Sequence, residues 1–148
     1  MREHWEFFKD GDTSMGVFYP MHYIVAAFDS EERARSIQSR FLESGFNADD
    51  VAVADGRYVV DKLESIEDAG LLDRAKQTLV RAVGTELGYL DDDRKVADRG
   101  GAFLFVYAPD TESLERATEV LKLAHPILAR RYHAAGIHRI SYPRQSVL

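Results

Sequence analysis

The chain contains no cysteine. Disulfide cross-links, thiolate metal sites and cysteine nucleophiles are therefore excluded. Long apolar runs are missing too. The longest, around Tyr23 to Phe28, falls far short of the roughly 20 residues that cross a bilayer as a helix. The opening Met1-Arg2-Glu3-His4-Trp5-Glu6 is charged from the start, which predicts no secretory signal, no membrane partner and a cytoplasmic address. No phosphate-binding Walker loop, dinucleotide glycine pattern, nucleophile elbow or zincin helix occurs. These absences remove the reactions that announce themselves in sequence. They leave room for a small enzyme that works with one histidine or tyrosine in a pocket.

What is present suits one globular domain. A chain of 148 residues with 45% hydrophobic and 30% charged content is long enough and apolar enough to bury a core. Positive charge is in deficit, with a net charge of −6. Such a chain repels phosphate backbones on average, so nucleic acid is not an expected partner. The charge is segregated. Between Glu43 and Asp73 the acids face only Arg57 and Lys62, whereas Arg130, Arg131, Arg139 and Arg144 follow His125 with no acid among them. Two solvated surfaces of opposite sign account for this. The sharper alternatives are self-association of one end on the other, or a small anion held at the C-terminal end.

Residues 1–20 form an aromatic arm (Trp5, Phe7, Phe8, Phe18, Tyr19), and residues 21–148 read as the single domain. Burying a large aromatic is worth about 1.5–3 kcal/mol, so the arm is expected to cover its own domain or a neighbouring subunit. Tyr23–Phe28 reads as a buried strand. Asp29 and Glu32 suggest a capping box, and Gly45-Phe46 a Schellman stop, for the helix between them. Val51–Val60 reads as a hairpin turning on Asp55-Gly56. Leu71, Ala75, Leu79, Val83 and Leu87 recur every four residues and predict a middle helix over 65–90. Residues 91–101 read as a charged, solvated loop. Ala102–Ala108 is the clearest strand. Asp110 or Thr111 caps another helix, which Pro126 kinks or splits before the helical pattern resumes over 127–135 and gives way to a last strand over 137–142.

The two strand-to-helix joints match: Ala27-Phe28-Asp29-Ser30-Glu31 against Ala108-Pro109-Asp110-Thr111-Glu112. A second match sets Arg40–Phe46 against Arg131–Ile137. Two such units predict an α+β, ferredoxin-like sandwich, its antiparallel sheet covered by helices on one face, with the extra middle helix and the N-terminal arm added.

Phe28-Asp29-Ser30-Glu31-Glu32, then Gly45-Phe46, then Asp49-Asp50-Val51 resembles the corresponding joints of small bacterial general-stress or heat-induced proteins. The resemblance covers residues 23–54 and, more faintly, 102–142. It implies a cytoplasmic, stress-associated protein with no defined catalytic residues to carry over. Where members of that family have a glycine-rich apolar middle segment, this chain has a charged amphipathic one.

Candidate chemistry gathers in the second half. Phe103, Phe105 and Tyr107 alternate with small aliphatic residues and point to one sheet face. If helices cover only the other face, this aromatic face is open, which predicts a sheet-to-sheet homodimer or a bound small molecule. Arg99–Val106 also approaches the first ribonucleoprotein motif, but Gly101 stands at one stacking position and Val106 at the last aromatic one. Three readings follow. The first is a non-enzymatic binding or regulatory module, dimeric, with Phe103, Phe105, Tyr107, Arg130, Arg131 and Arg139 toward a ligand. The second is a small dimeric enzyme using His133, His138 and Tyr142. The third is an anion or nucleotide sensor on the basic C-terminal end. The His133-x4-His138 spacing lacks a third ligand, so no metal and no cofactor are expected.

Overall fold

A computed structural model describes residues 13–14, 17–18, 20–60, 86–133 and 136–143, with side chains for 20–60, 92–133 and 136–143. A two-stranded piece comes first, β1 (Thr13–Ser14) antiparallel to β2 (Val17–Phe18). The rest of the aromatic arm, Trp5, Phe7 and Phe8 included, lies outside the described residues.

The main sheet is built around β3 (Tyr23–Phe28), every residue of which is buried. Its apolar run has no polar alternation because both of its faces are covered. It leads into α1 (Glu31–Glu43), capped by Ser30, whose hydroxyl accepts from the Arg33 amide at 3.1 Å. The cap is thus one residue later than Asp29, with Glu31 and Glu32 in the first turn favoured by the helix dipole. Ala34, Ile37 and Phe41 are buried at helical spacing. Gly45 adopts φ +103°, and the Phe46 amide donates back to the Phe41 carbonyl, which seats the Phe46 ring 5.3 Å from that of Phe41. This is the glycine stop expected from the sequence.

A 3₁₀ turn (Ala48–Asp50) leads to β4 (Val51–Asp55). The hairpin expected at Asp55-Gly56 does not form. Residues 56–60 are helical, and the Asp55 carboxylate accepts from the amides of Arg57 (2.9 Å) and Tyr58 (3.3 Å). Asp before Gly suits a helix N-cap as well as a turn, and here Val59 and Val60 are buried by the helical alternative. The predicted middle helix lies outside the described residues as far as residue 85. From Glu86 the chain is helical and stays so to Asp98 as α2, through the stretch expected to be a solvated loop. Asp92, Asp93, Val96 and Ala97 form its inward face. Two acids at core positions disguise the helical stripe.

Gly100, at φ +81°, ends α2, and β5 (Ala102–Tyr107) follows. Next comes α3 (Thr111–Ala124), capped by a reciprocal box in which Asp110 accepts from the Ser113 amide at 2.8 Å and Ser113 Oγ accepts from the Asp110 amide. His125 closes it at φ +51°. Pro126 therefore follows the helix instead of kinking it. The stretch expected to continue as helix is β6 (Leu128–His133), which pairs with the next strand, β7 (Gly136–Ser141). The supposed second helix end at Arg131–Ile137 is this strand pair, so only the first joint of the internal repeat holds. The sheet is antiparallel throughout, in the order β4-β5-β3-β6-β7. His22 consequently meets β6, its amide donating to the Tyr132 carbonyl at 2.7 Å.

Helices lie on both faces, not one. Ala34, Ile37 and Phe41 of α1 and Ala117, Leu121 and Ala124 of α3 pack on Ile24, Ala26, Phe28, Leu104 and Val106. On the opposite face Val96 of α2 and Val59 pack with Tyr23, Val25, Phe103, Phe105 and Tyr132. No described helix is long and apolar enough to cross a membrane.

The return from α2 to β5 is a close backbone approach. The Gly56 amide donates to the Gly101 carbonyl at 3.1 Å, and the Gly101 amide to the Val96 carbonyl at 3.0 Å. A Cβ on Gly101 would stand 2.7 Å from the Phe28 carbonyl oxygen and 2.8 Å from that of Val96. Backbone atoms cannot yield as a flexible side chain can. The Gly101→Ala variant is expected to lose about 2 kcal/mol or more by urea unfolding, in the range of an overpacked core.

Candidate functional site

Strand alternation decides what meets what. On β6, Leu128, Arg130 and Tyr132 face α2, while Ala129, Arg131 and His133 face the other way. Arg130 stands beside Val25 of β3, which in turn stands beside Phe105 of β5. Three strands thus present, in one line, a cation, a small apolar side chain and an aromatic ring. Tyr23 and Tyr107 lie one pair further along, their rings 5.1 Å apart.

Arg130 is 1% exposed. Its Nη1 and Nη2 donate to the two carboxylate oxygens of Asp93 at 2.9 and 2.6 Å, and its Nε donates to Tyr132 Oη at 2.8 Å. The guanidinium carbon sits 5.6 Å from the centre of the Tyr132 ring. One residue before Asp93, Asp92 accepts a 2.7 Å hydrogen bond from Tyr142 Oη, and Arg139 lies over the Tyr142 ring at 4.6 Å. Two adjacent acids on α2 therefore reach β6, at Arg130, and the residue just beyond β7, Tyr142.

The electrostatics follow from burial. A guanidinium stays protonated in proteins, and two parallel N–H···O bonds need both carboxylate oxygens as acceptors, so Asp93 and Arg130 are an ion pair. Burial alone would lower the Arg130 pKa, but Asp93 reverses this and holds the group charged. Burial pushes the Asp93 carboxyl up from the usual carboxylate range against the opposing pull of Arg130, with Asp92 adding repulsion. The Tyr142 phenol is raised well above its ordinary value, by burial first and by the hydrogen bond it gives to Asp92.

The residues singled out in the sequence separate into groups. Phe103, Phe105, Tyr107 and Arg130 share the face under α2, and Arg139 reaches the same side through Tyr142. Phe103 and Phe105 are fully buried. The face is therefore not open, the ground for a sheet-to-sheet dimer is gone, and Phe103 is not displayed for base stacking. Arg131 points to the opposite face and donates from Nε and Nη2 to the Ala108 carbonyl at 3.2 and 2.9 Å. His138 stands directly across from Arg131 and His133 across from Gly136. Both histidines thus share the face away from Tyr142. The described residues include no group of three or more His, Asp or Glu side chains placed to hold a metal ion. Asp92, Asp93 and Tyr132 escaped sequence reasoning. The one available signal was the spacing of Asp92, Asp93, Val96 and Ala97, which is that of a helix face.

Together the described elements define a mixed α+β protein with a five-stranded antiparallel sheet. Compared with known proteins, the chain matches no family model, no curated protein and no solved structure.

Removing one partner of a buried ion pair strands the other charge. Arg130→Met is expected to cost about 3–5 kcal/mol, and Arg130→Met combined with Asp93→Leu to regain most of it, because a packed apolar pair replaces a buried ionic one at little net cost. A double-mutant cycle by urea unfolding measures the coupling. Tyr142 gives a pH signature. A phenol whose pKa is higher in the folded chain stabilises the fold fully below the unfolded value of 10.0 and loses that contribution as pH rises above it. The wild-type urea midpoint is expected to fall above pH 10 more steeply than that of Tyr142→Phe.

Proposed function

We propose that the chain is a non-enzymatic ligand-binding or regulatory module on a ferredoxin-like sheet extended by one edge strand. The order β4-β5-β3-β6 with antiparallel pairing, and α1 and α3 following β3 and β5, supports the ferredoxin-like reading. β7 is then the addition. The resemblance of residues 23–54 to small general-stress proteins is consistent with a regulatory role.

The observation that carries the binding reading is the buried Arg130. A guanidinium at 1% exposure on an otherwise aromatic and aliphatic face is a poor device for stability, since an apolar pair of similar volume would serve as well or better. A buried ionisable pair in apolar surroundings is a candidate for function. Apolar walls with one fixed polar group also describe how small molecules are recognised. The histidine–tyrosine enzyme gains no support, because His133 and His138 lie across the sheet from Tyr142. The anion sensor gains little, because Arg130 and Arg131 already bond within the chain and Arg139 lies against Tyr142.

A panel of small aromatic compounds, charged and neutral, screened by protein-observed NMR tests this. Binders are expected to shift the amides of Phe103, Phe105, Tyr107 and Arg130 together. A panel that produces no binder on this face at millimolar concentration sinks the reading.

A further inference from the structure

We propose that β4 is an interface strand: two copies of this chain join edge to edge, β4 antiparallel to β4, about a two-fold axis at Val53. The joint uses a strand edge and leaves both faces of the sheet covered as described, so it stands apart from the binding reading above.

The five-stranded sheet has two edges, β4 and β7. Folded proteins guard such edges with charge, proline or irregular pairing, because an unpaired edge recruits other strands. β7 is guarded. His138 and Arg139 are exposed on it, and its pairing with β6 shifts register at Ala129/Arg130. β4 carries none of these devices along its middle. Its pairing to β5 is regular from Val51 to Asp55, and Val51-Ala52-Val53-Ala54 is apolar throughout. Among the described residues no strand pairs with its outer side.

The backbone decides which groups point outward. The Gly56 amide donates to the Gly101 carbonyl at 3.1 Å, which makes these two a hydrogen-bonded pair. Antiparallel alternation then turns Ala52 and Ala54 toward β5, and Val51, Val53 and Asp55 outward. Gln38 of α1 agrees with this, since its Nε2 donates to the Val51 carbonyl at 3.1 Å. No side chain among the described residues does the same for Val53, at the centre of the edge. Gln38 also shows that this side of α1 overhangs β4. Leu42, one turn further along that side, is 40% exposed and extends the apolar edge.

The charges favour a second copy in one register. A two-fold axis at Val53 sets Val51 against Asp55, Asp50 against Gly56 and Asp49 against Arg57. No acid then faces an acid, and one acid faces a base. In-register parallel pairing would set Asp55 beside its own counterpart. Pairing β4 on β7 of another copy is heterologous and builds open chains. The two-fold arrangement closes after two copies and leaves only the guarded β7 edges outside. A five-residue strand is short for a stable interface, so the dimer forms weakly and with rising concentration.

The chain has no cysteine, so one introduced thiol reports the axis. Val53→Cys sets two thiols opposite each other, with Cα atoms about 5.5 Å apart in a hydrogen-bonded pair, within disulfide reach. Ala52→Cys sets each thiol opposite Ala54 of the other copy and about 8 Å from its counterpart, out of reach. With copper phenanthroline, Val53→Cys is expected to cross-link at least tenfold faster than Ala52→Cys. The unaltered chain should sediment as monomer and dimer in concentration-dependent exchange, and the Val53 amide should exchange more slowly as the dimer forms. Val53→Lys, which supplies the missing guard charge, should weaken the dimer at least tenfold. An unaltered chain that stays monomeric to millimolar concentration overturns the proposal. So does a Val53 amide already protected in the monomer, which means that another stretch of the same chain covers the edge. Equal or faster cross-linking at residue 52 overturns the axis. Growth beyond a dimer overturns the two-fold in favour of open β4-to-β7 chains, and a dimer that leaves Val53 exchange unchanged places the interface elsewhere.

Discussion

Arg130 cannot give up its proton, and the fold gives it no water. Everything around it answers that constraint. Asp93 must present both oxygens, so α2 must cross β6 at this point and with this face inward. Tyr132 must turn its hydroxyl to Nε, which fixes one wall of the aromatic side. With α2 held there, its end meets Gly101 so closely that a methyl group has no room, and the amide of Gly56 can reach the Gly101 carbonyl. One buried charge therefore specifies the placement of a helix, the strand return behind it and the helical start after β4.

The two sides of the sheet are held by different physics. Beneath α1 and α3 the described packing is almost wholly apolar, with Ala, Ile, Leu, Val and Phe meeting in a continuous cluster. Burial of this kind is non-directional and tolerates repacking. Beneath α2 the contacts mix rings with directional bonds: an ion pair, a phenol on a carboxylate, a guanidinium over a ring. Directional bonds define one arrangement sharply and are lost together when a partner moves away. A layer held in this manner is better suited to two states than an oil-like one.

The elements legible in the sequence were those whose burial followed hydrophobicity. Tyr23–Phe28 and Ala102–Tyr107 are apolar at every position because both faces are covered, and α1 and α3 show their inward residues at helical spacing with recognisable caps. The misread stretches are those where polar residues sit inside. Asp92 and Asp93 on α2 look like solvent-facing charge, so a helix read as a loop. Arg130 hides the period of two in β6, because Leu128 and Tyr132 share its face and Arg131 and His133 share the other. Asp55-Gly56 suits both a hairpin and a helix start, and only the burial of Val59 and Val60 selects between them. The aromatic set on β5 was correctly assigned to one face, and Arg130 was named beside it. Their meeting under a helix depended on the very acids that disguised that helix.

The central strand carries a further consequence. Ile24, Ala26 and Phe28 belong to one cluster, and Tyr23, Val25 and Ala27 to the other. A six-residue segment is thus the shared wall of two cores that otherwise differ in chemistry. Its backbone is paired on both sides, to β5 and to β6. Neither core can melt without exposing one side of this strand, and once that side is wet the other core has lost its backing. The two layers consequently unfold as a single cooperative unit.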